Sequence, residues 1–444
     1  MTVPPALVRN TFRTSRLLDF FSAKELIAQT GHREAEWPLV ALKEIVDDAI
    51  DACEDSGTAP EVSVTVDDDG IAVADNGPGL PTTTLDGVLD FSVRMSSREA
   101  YVAPDRGAQG NALKTIFAMP VVLDGKEGRV EVEARGQRHQ ISLTVDQIRQ
   151  EPVIKRTVGP SDVRVGTIVR LHWPVSASSI LADSKAHLLQ LARDFTVLNP
   201  HLTLTTSWFG DRREIAATTP RWLKWGPRNP TSPHWYRLDH LERRVAAQIA
   251  YDADHGREST VREFVQEFRG LSGTAKQKAV LEAAGLQRAR LTDLWDRGPD
   301  ARNRLLAAMQ DHSRPVKPTD LGVIGREHLS RRLEEMGCVM ESFTYRKAEG
   351  TDDGVPWVLE AAFGWLGEGA APARRFVAGV NWSPGIVNPF RQLGRFGVSL
   401  DAILEQQRAG HREPVALVLH LACARVEYAD RGKSAVVIGG AGGA

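Results

Sequence analysis

The residues best equipped for chemistry lie in ALKEIVDDAIDACED, residues 41–55. Leu42, Ile45, Val46, Ala49 and Cys53 recur at helical spacing, so residues 37–54 read as a helix with those side chains on a core. Glu44, Asp48 and Asp51 recur a turn apart on the opposite face, with Asp47 and Glu54 beside them. Like charges four residues apart destabilise a helix by about 0.3 kcal/mol per pair. Glu44/Asp48, Asp47/Asp51 and Asp51/Asp55 all carry that penalty. Two explanations fit. One is an acidic face turned to solvent. The other is a set of oxygen ligands for a hard cation such as magnesium, beside a carboxylate that activates water. The helix alone does not choose between them.

Two glycine-bearing boxes follow. Ala74-Asp75-Asn76-Gly77-Pro78-Gly79-Leu80-Pro81 sets a carboxylate at a strand end beside backbone that a ligand can approach closely. Asn-Gly-Pro-Gly would serve equally as a surface turn. Arg106-Gly107-Ala108-Gln109-Gly110-Asn111-Ala112-Leu113-Lys114 opens a helix, and amide groups at a helix start suit phosphate. Neither box is a GxxxxGK[ST] loop or a GxGxxG fingerprint.

These residues need a frame to hold them. Val62, Val64 and Val66 alternate with polar residues, and Asp67-Asp68-Asp69-Gly70 turns the chain toward Ile71 and Val73. Strands are expected at 61–66, 71–75, 129–143, 165–172, 355–365 and 415–422. A helix over 185–198 stops at Asn199-Pro200. Residues 209–240, rich in Pro, Trp and Arg, read as a linker. Residues 241–312 read as helical, and Arg314-Pro315-Val316-Lys317-Pro318 marks a further boundary. Length sets the same scale, because 444 residues fit about three domains at ~150 residues each. A net charge of -2 excludes a polycation but leaves room for a local basic surface. Cys53, Cys338 and Cys423 lie far apart without a CxxC pair, which suits reduced thiols in a cytoplasmic protein and no structural zinc. No apolar run of membrane-spanning length occurs, so no membrane role is expected.

Each box alone is a weak signal. Their order is specific: acidic helix, hairpin ending Asp-x-Gly-x-Gly, glycine-rich helix start, then Gly166-Thr167-Ile168-Val169. The set resembles the GHKL ATPases, the superfamily of gyrase and histidine kinases. The resemblance extends to topoisomerase VI B subunits. Lys43 to Glu54 is similar to their ELVDNSLDA box, DNGPGLP to DNGPGIP, and RGAQGNA to RGQQGIG. Lys317 to Glu327, Val355 to Glu360 and Leu417 to Ala435 match later stretches in the same order.

The resemblance implies an α+β protein in three parts. They are a GHKL (Bergerat) ATPase sandwich with a dimerisation strap over 1–210, a linker and helix-two-turn-helix-like domain over 211–312, and an α/β, ribosomal S5-like transducer over 313–444, truncated at its C-terminus. It also implies ATP and Mg2+ as cofactors. Glu44 would be the general base, Asp48 the magnesium ligand in place of the family's Asn, and Asp75 the partner of the adenine amino group. Gly77 and Gly79 would shape the adenine pocket. Arg106, Gly107, Gln109, Gly110 and Asn111 would close on the phosphates, and Thr167 would support Asp75. Ala112 stands where a lid glycine is usual. The family's WKxY motif is not evident, which leaves Arg395 and Lys433 as candidates for the switch cation. The implied partners are a second copy of the chain on ATP binding, a DNA-cleaving A-type subunit, and duplex DNA. An ATP-gated DNA clamp or scaffold without strand passage is the alternative. For DNA contact, Arg212, Arg213, Arg221, Lys224, Arg228, Arg237, Arg243 and Arg244 interleave with Trp222, Trp225, Trp235 and Tyr236. A Trp-rich packing seam between domains would give the same composition. Basic side chains of the helical insert, among them Arg262, Lys278 and Arg288, would add phosphate contacts.

Overall fold

The computed structural model describes residues 20–91, 100–106, 112–146, 148–149, 151–226, 228–370, 373–391, 399–428 and 435–437. A short helix α1 (Ala23–Thr30) leads into α2 (Trp37–Ser56), which has Pro38 in its first turn and Gly57, at φ +74°, as its stop. Strands β1 (Glu61–Asp67) and β2 (Gly70–Ala74) form a hairpin, followed by α3 (Thr82–Leu89) and α4 (Ala112–Asp124). Strands β3 (Glu127–Ala134), β4 (Gln137–Asp146), β5 (Glu151–Pro160) and β6 (Thr167–His172) come next. After α5 (Ser178–Asp183) and α6 (Lys185–Leu198), β7 (Thr203–Trp208) and β8 (Asp211–Ile215) complete the first sheet.

Among the described residues that sheet has eight strands, in the order β5-β4-β3-β6-β2-β1-β7-β8. Of its neighbouring pairs, only β1 and β7 run parallel. Strict alternation in β1 buries Val62, Val64 and Val66, and α2, α4 and α6 close over that face. Leu42, Ile45, Val46, Ala49 and Cys53 are all buried, so the core face of α2 is as its spacing implies. The expected strand over 129–143 is instead the hairpin of β3 and β4. Arg135 (φ +53°) and Gly136 (φ +79°) form a two-residue turn there, and no Asn-Gly or Asp-Gly dipeptide marks it in the sequence.

A helical segment follows, made of α7 (Leu238–Asp254), α8 (Val261–Gln266), α9 (Thr274–Ala284), α10 (Leu291–Asp296) and α11 (Pro299–Asp311). Then come α12 (Arg326–Glu335), β9 (Thr344–Asp352), β10 (Val355–Trp365), β11 (Arg375–Val380), β12 (Ser383–Pro384), α13 (Leu400–Gln406) and β13 (Val415–Cys423). The second sheet runs β12-β11-β13-β10-β9, with β11 and β13 parallel. The protein is thus α+β, as the motifs imply. The helical segment and the second sheet share one apolar core, which also takes in Trp225, Trp235 and Tyr236. Those three side chains are buried, which removes them as base-stacking platforms; the packing seam is what the residues build. The Lys224 side chain is only 5% exposed, and Arg244 is buried. Arg244 is enclosed by Tyr101, Gln248 and Glu267, so neither cation lies on a DNA-facing surface.

Candidate functional site

The site is assembled from two strand ends and one helix. β6 pairs with β2, which brings Thr167 beside Asp75 although many residues separate them in the chain. The Gly77 N–H donates to Asp75 Oδ1 at 2.7 Å, and the Thr167 N–H does so at 3.3 Å. The Thr167 hydroxyl accepts from the Leu80 N–H at 3.0 Å, and the Gly166 N–H donates to the Gly77 carbonyl at 2.8 Å. Burial pushes the Asp75 carboxyl above its usual range, while the Gly77 and Thr167 donors oppose that.

Three glycines are required for this closeness. A Cβ on Gly166 (φ +79°) would lie 1.8 Å from the Asp75 carbonyl oxygen. One on Gly77 would lie 2.9 Å from Asp75 Oδ1. Gly79 (φ +78°) is hemmed by Arg135 Cγ at 3.0 Å, and Arg135 Nε donates to the Gly79 carbonyl at 2.9 Å. Asn76, to which the sequence assigns no task, is the clamp that locks this corner. Its Oδ1 accepts from the Glu61 N–H (2.9 Å) and the Cys53 thiol (3.2 Å), and its Nδ2 donates to the Ala59 carbonyl (3.0 Å).

Gly77 packs on the backbone of Ala52 and Cys53, so the Asp75 corner sits against the C-terminal part of α2. Glu44 lies nine residues further back, ~13.5 Å along the axis at 1.5 Å per residue. Glu44 is partly exposed, with Lys43 Nζ 3.6 Å from its Oε1, and Asp48 is exposed one turn on. Among the described residues no group of three or more His, Cys, Asp or Glu side chains forms a ready-made metal site.

The rest of the acidic stripe is not solvated. Asp47 and Asp51 are buried, and the Glu54 side chain is only 8% exposed. Their counter-charge is Arg106, whose side chain is 0% exposed. Arg106 Nη1 donates to Asp51 Oδ1 (2.6 Å) and Glu54 Oε2 (2.8 Å); Nη2 donates to Glu54 Oε1 (2.7 Å) and Asn199 Oδ1 (2.5 Å). Lys224 Nζ lies 2.7 Å from Glu54 Oε2, and His201 Nε2 lies 3.0 Å from Oε1. Burial alone would raise the Glu54 carboxyl; Arg106, Lys224 and His201 overrule it and hold it well below the usual range. Burial also depresses Lys224 and His201.

Arg106 therefore departs from the expected phosphate contact. Its guanidinium is spent on carboxylates of α2. Nothing in local spacing links Arg106 to residues 51 and 54, since the pairing exists only once the chain has folded back. Gly107, Gln109, Gly110, Asn111, Arg395 and Lys433 lie outside the described residues.

Comparison with known proteins gives this geometry a family context. No family model matches the chain. It is similar to the B subunit of type 2 DNA topoisomerase 6 from Archaeoglobus fulgidus, at 24% identity over 90% of this chain and 66% of the relative. The corresponding B subunits from Methanosarcina barkeri and Methanosarcina mazei are each 20% identical. They cover 98% and 90% of this chain, and 70% and 64% of the relatives. The chain thus spans about two thirds of the length of the curated relatives it matches. Among solved structures, the B subunit of DNA gyrase from Myxococcus xanthus shows a loose likeness, with a TM-score of 0.40 and 11% identity over 95% of this chain and 86% of that one. The likeness to topoisomerase VI B subunits implied by the motifs holds along nearly the whole chain.

Proposed function

We propose that this chain is the cytoplasmic ATP-binding and ATP-hydrolysing subunit of a topoisomerase VI-like system. ATP binding would close a dimer on duplex DNA, and a separate A-type subunit would cleave it. The observation that carries the reading is the Asp75 corner: a half-buried carboxylate, its two backbone donors and three glycines, all against the helix that bears Glu44 and Asp48. A buried acceptor in a glycine-lined corner suits an adenine amino group, with Thr167 holding the carboxylate in place. The Glu44 carboxylate, nine residues back along α2, would take a proton from a water attacking the terminal phosphate. A triphosphate nucleotide is long enough to bridge the two. Asp48 offers one hard oxygen ligand, which fits magnesium shared with phosphates and water better than an all-protein cage. When bound, the ion would neutralise phosphate charge.

The test is nucleotide binding and turnover by paired variants. Glu44→Gln should bind a non-hydrolysable ATP analogue as the wild type does and lose hydrolysis by ~100-fold or more. Asp75→Asn should lose analogue binding altogether. Full turnover in Glu44→Gln, or full affinity in Asp75→Asn, sinks the assignment of that residue. Supercoil relaxation with the native partner separates strand passage from a clamp that only holds DNA.

A further inference from the structure

We propose that the Asn381–Trp382–Ser383 turn of the second sheet is a positioning element for the ATP site, setting the placement of α2 and of Arg106. The inference rests on the ATPase reading above and adds to it a means of control from the second sheet.

The turn joins β11 to β12, with Val380 paired to Ser383. Both central residues are left-handed, Asn381 at φ +50° and Trp382 at φ +65°. Asn tolerates that conformation; a bulky Trp does so only when its surroundings impose it. Trp382 is 0% exposed, and three parts of the molecule hold it. Its backbone N–H donates to His420 Nε2 of β13 at 3.2 Å. Lys224 Nζ stands 4.5 Å from its ring centroid, and Trp222 meets it edge-on at 6.0 Å. Its carbonyl accepts from Asn199 Nδ2, just past α6, at 2.8 Å. Gly322 (φ +112°) permits this packing, because a Cβ there would lie 2.7 Å from Lys224 Cβ.

The flanking residues reach α2 and the segment before Arg106 directly. Ser383 Oγ donates to Asp47 Oδ2 of α2 at 2.6 Å. Asn381 Nδ2 donates to the carbonyl of Asp105, the residue before Arg106, at 3.3 Å. Asn199 and Lys224 touch Trp382 on one side and the Arg106–Glu54 cluster on the other. A single turn of the second sheet therefore grips both the helix bearing Glu44 and the residue just before the glycine-rich box. An apolar contact would let these parts slide. Breaking a buried ion pair leaves an uncompensated charge, so in this proposal the second sheet, α2 and Arg106 move together or in discrete steps. A strained residue held at such a junction is the form that functional strain takes.

The test compares the full chain with Ser383→Ala and Ser383→Thr, measuring ATP turnover, analogue affinity and amide hydrogen exchange. Ser383→Ala loses one buried hydrogen bond to a carboxylate. Its kcat is expected to fall roughly tenfold, with KM and analogue affinity held within about twofold. Exchange should quicken in α2 and residues 100–106, and Ser383→Thr, which keeps the hydroxyl, should restore the wild-type kcat. Wild-type kcat in a folded Ser383→Ala, beside an active parent, overturns this inference and leaves the ATPase reading standing. A parent chain that binds no analogue overturns the ATPase reading and this inference with it.

Discussion

At the scale of single residues, the Asp75 corner shows how little space separates a site from a clash. Gly166 and Gly57 share a left-handed backbone, but their surroundings differ. A Cβ at Gly57 meets nothing within 4 Å, whereas one at Gly166 would overlap the Asp75 carbonyl oxygen. Gly57→Ala should therefore cost only the conformational penalty, about 1 kcal/mol in thermal or urea unfolding. Gly166→Ala should force β6 away from Asp75 and weaken analogue binding at least about tenfold, or ~1.4 kcal/mol, in a titration. Equal effects at the two positions would mean that the corner is not the binding site.

At the scale of elements, α2 is a helix with two kinds of acidic residue. Glu44 and Asp48 reach solvent, while Asp47, Asp51 and Glu54 are buried against cations. The intrahelical repulsion is offset by Lys43 of the same helix, which pairs with Asp47 at 2.9 Å, and by Arg106 and Lys224 from outside it, which pair with Asp51 and Glu54. Glu54 gives the pH dependence a definite sign. Its folded-state pKa is held well below the ordinary 4.5, so its contribution to stability is complete above that value. The contribution is lost as pH falls below 4.5 toward the depressed value. Glu54→Gln leaves Arg106 and Lys224 under-compensated and should cost about 3–5 kcal/mol near pH 7. The gap between variant and parent should shrink as unfolding is followed below pH 4.5; a gap independent of pH would show that the Glu54 charge is not what holds the cluster.

At the scale of the whole molecule, two sheets are joined by an aromatic seam and a buried charge cluster. Trp225 and Trp235 meet edge-to-face at 4.8 Å within the core shared by the helical segment and the second sheet. Trp235→Ala should lower stability by about 3–5 kcal/mol through the cavity it leaves. Any change in DNA affinity should follow that loss of folded protein and vanish at temperatures where the variant is fully folded. DNA binding lost by a fully folded Trp235→Ala would restore a stacking role. Among the described residues no helix is long and apolar enough to cross a membrane.

What the sequence determined by itself is what short-range physics controls. Valine alternation in β1, the apolar spacing of α2, the Asn199-Pro200 stop and the Asp75-Asn76-Gly77 strand end all depend on neighbours within a few residues, and each is legible for that reason. Steric demands of glycine are also local, so Gly77 and Gly79 could be singled out. Partner choice among charges was decided only by the tertiary structure. Arg106 looked like a phosphate contact because it borders a glycine-rich box, and Lys224, Trp225 and Trp235 looked like a nucleic-acid surface because basic and aromatic residues alternate there. Whether a charge or ring meets solvent, ligand or another side chain depends on residues brought from far along the chain. Burial then decides the matter, since a buried cation must find a carboxylate, and α2 supplies three.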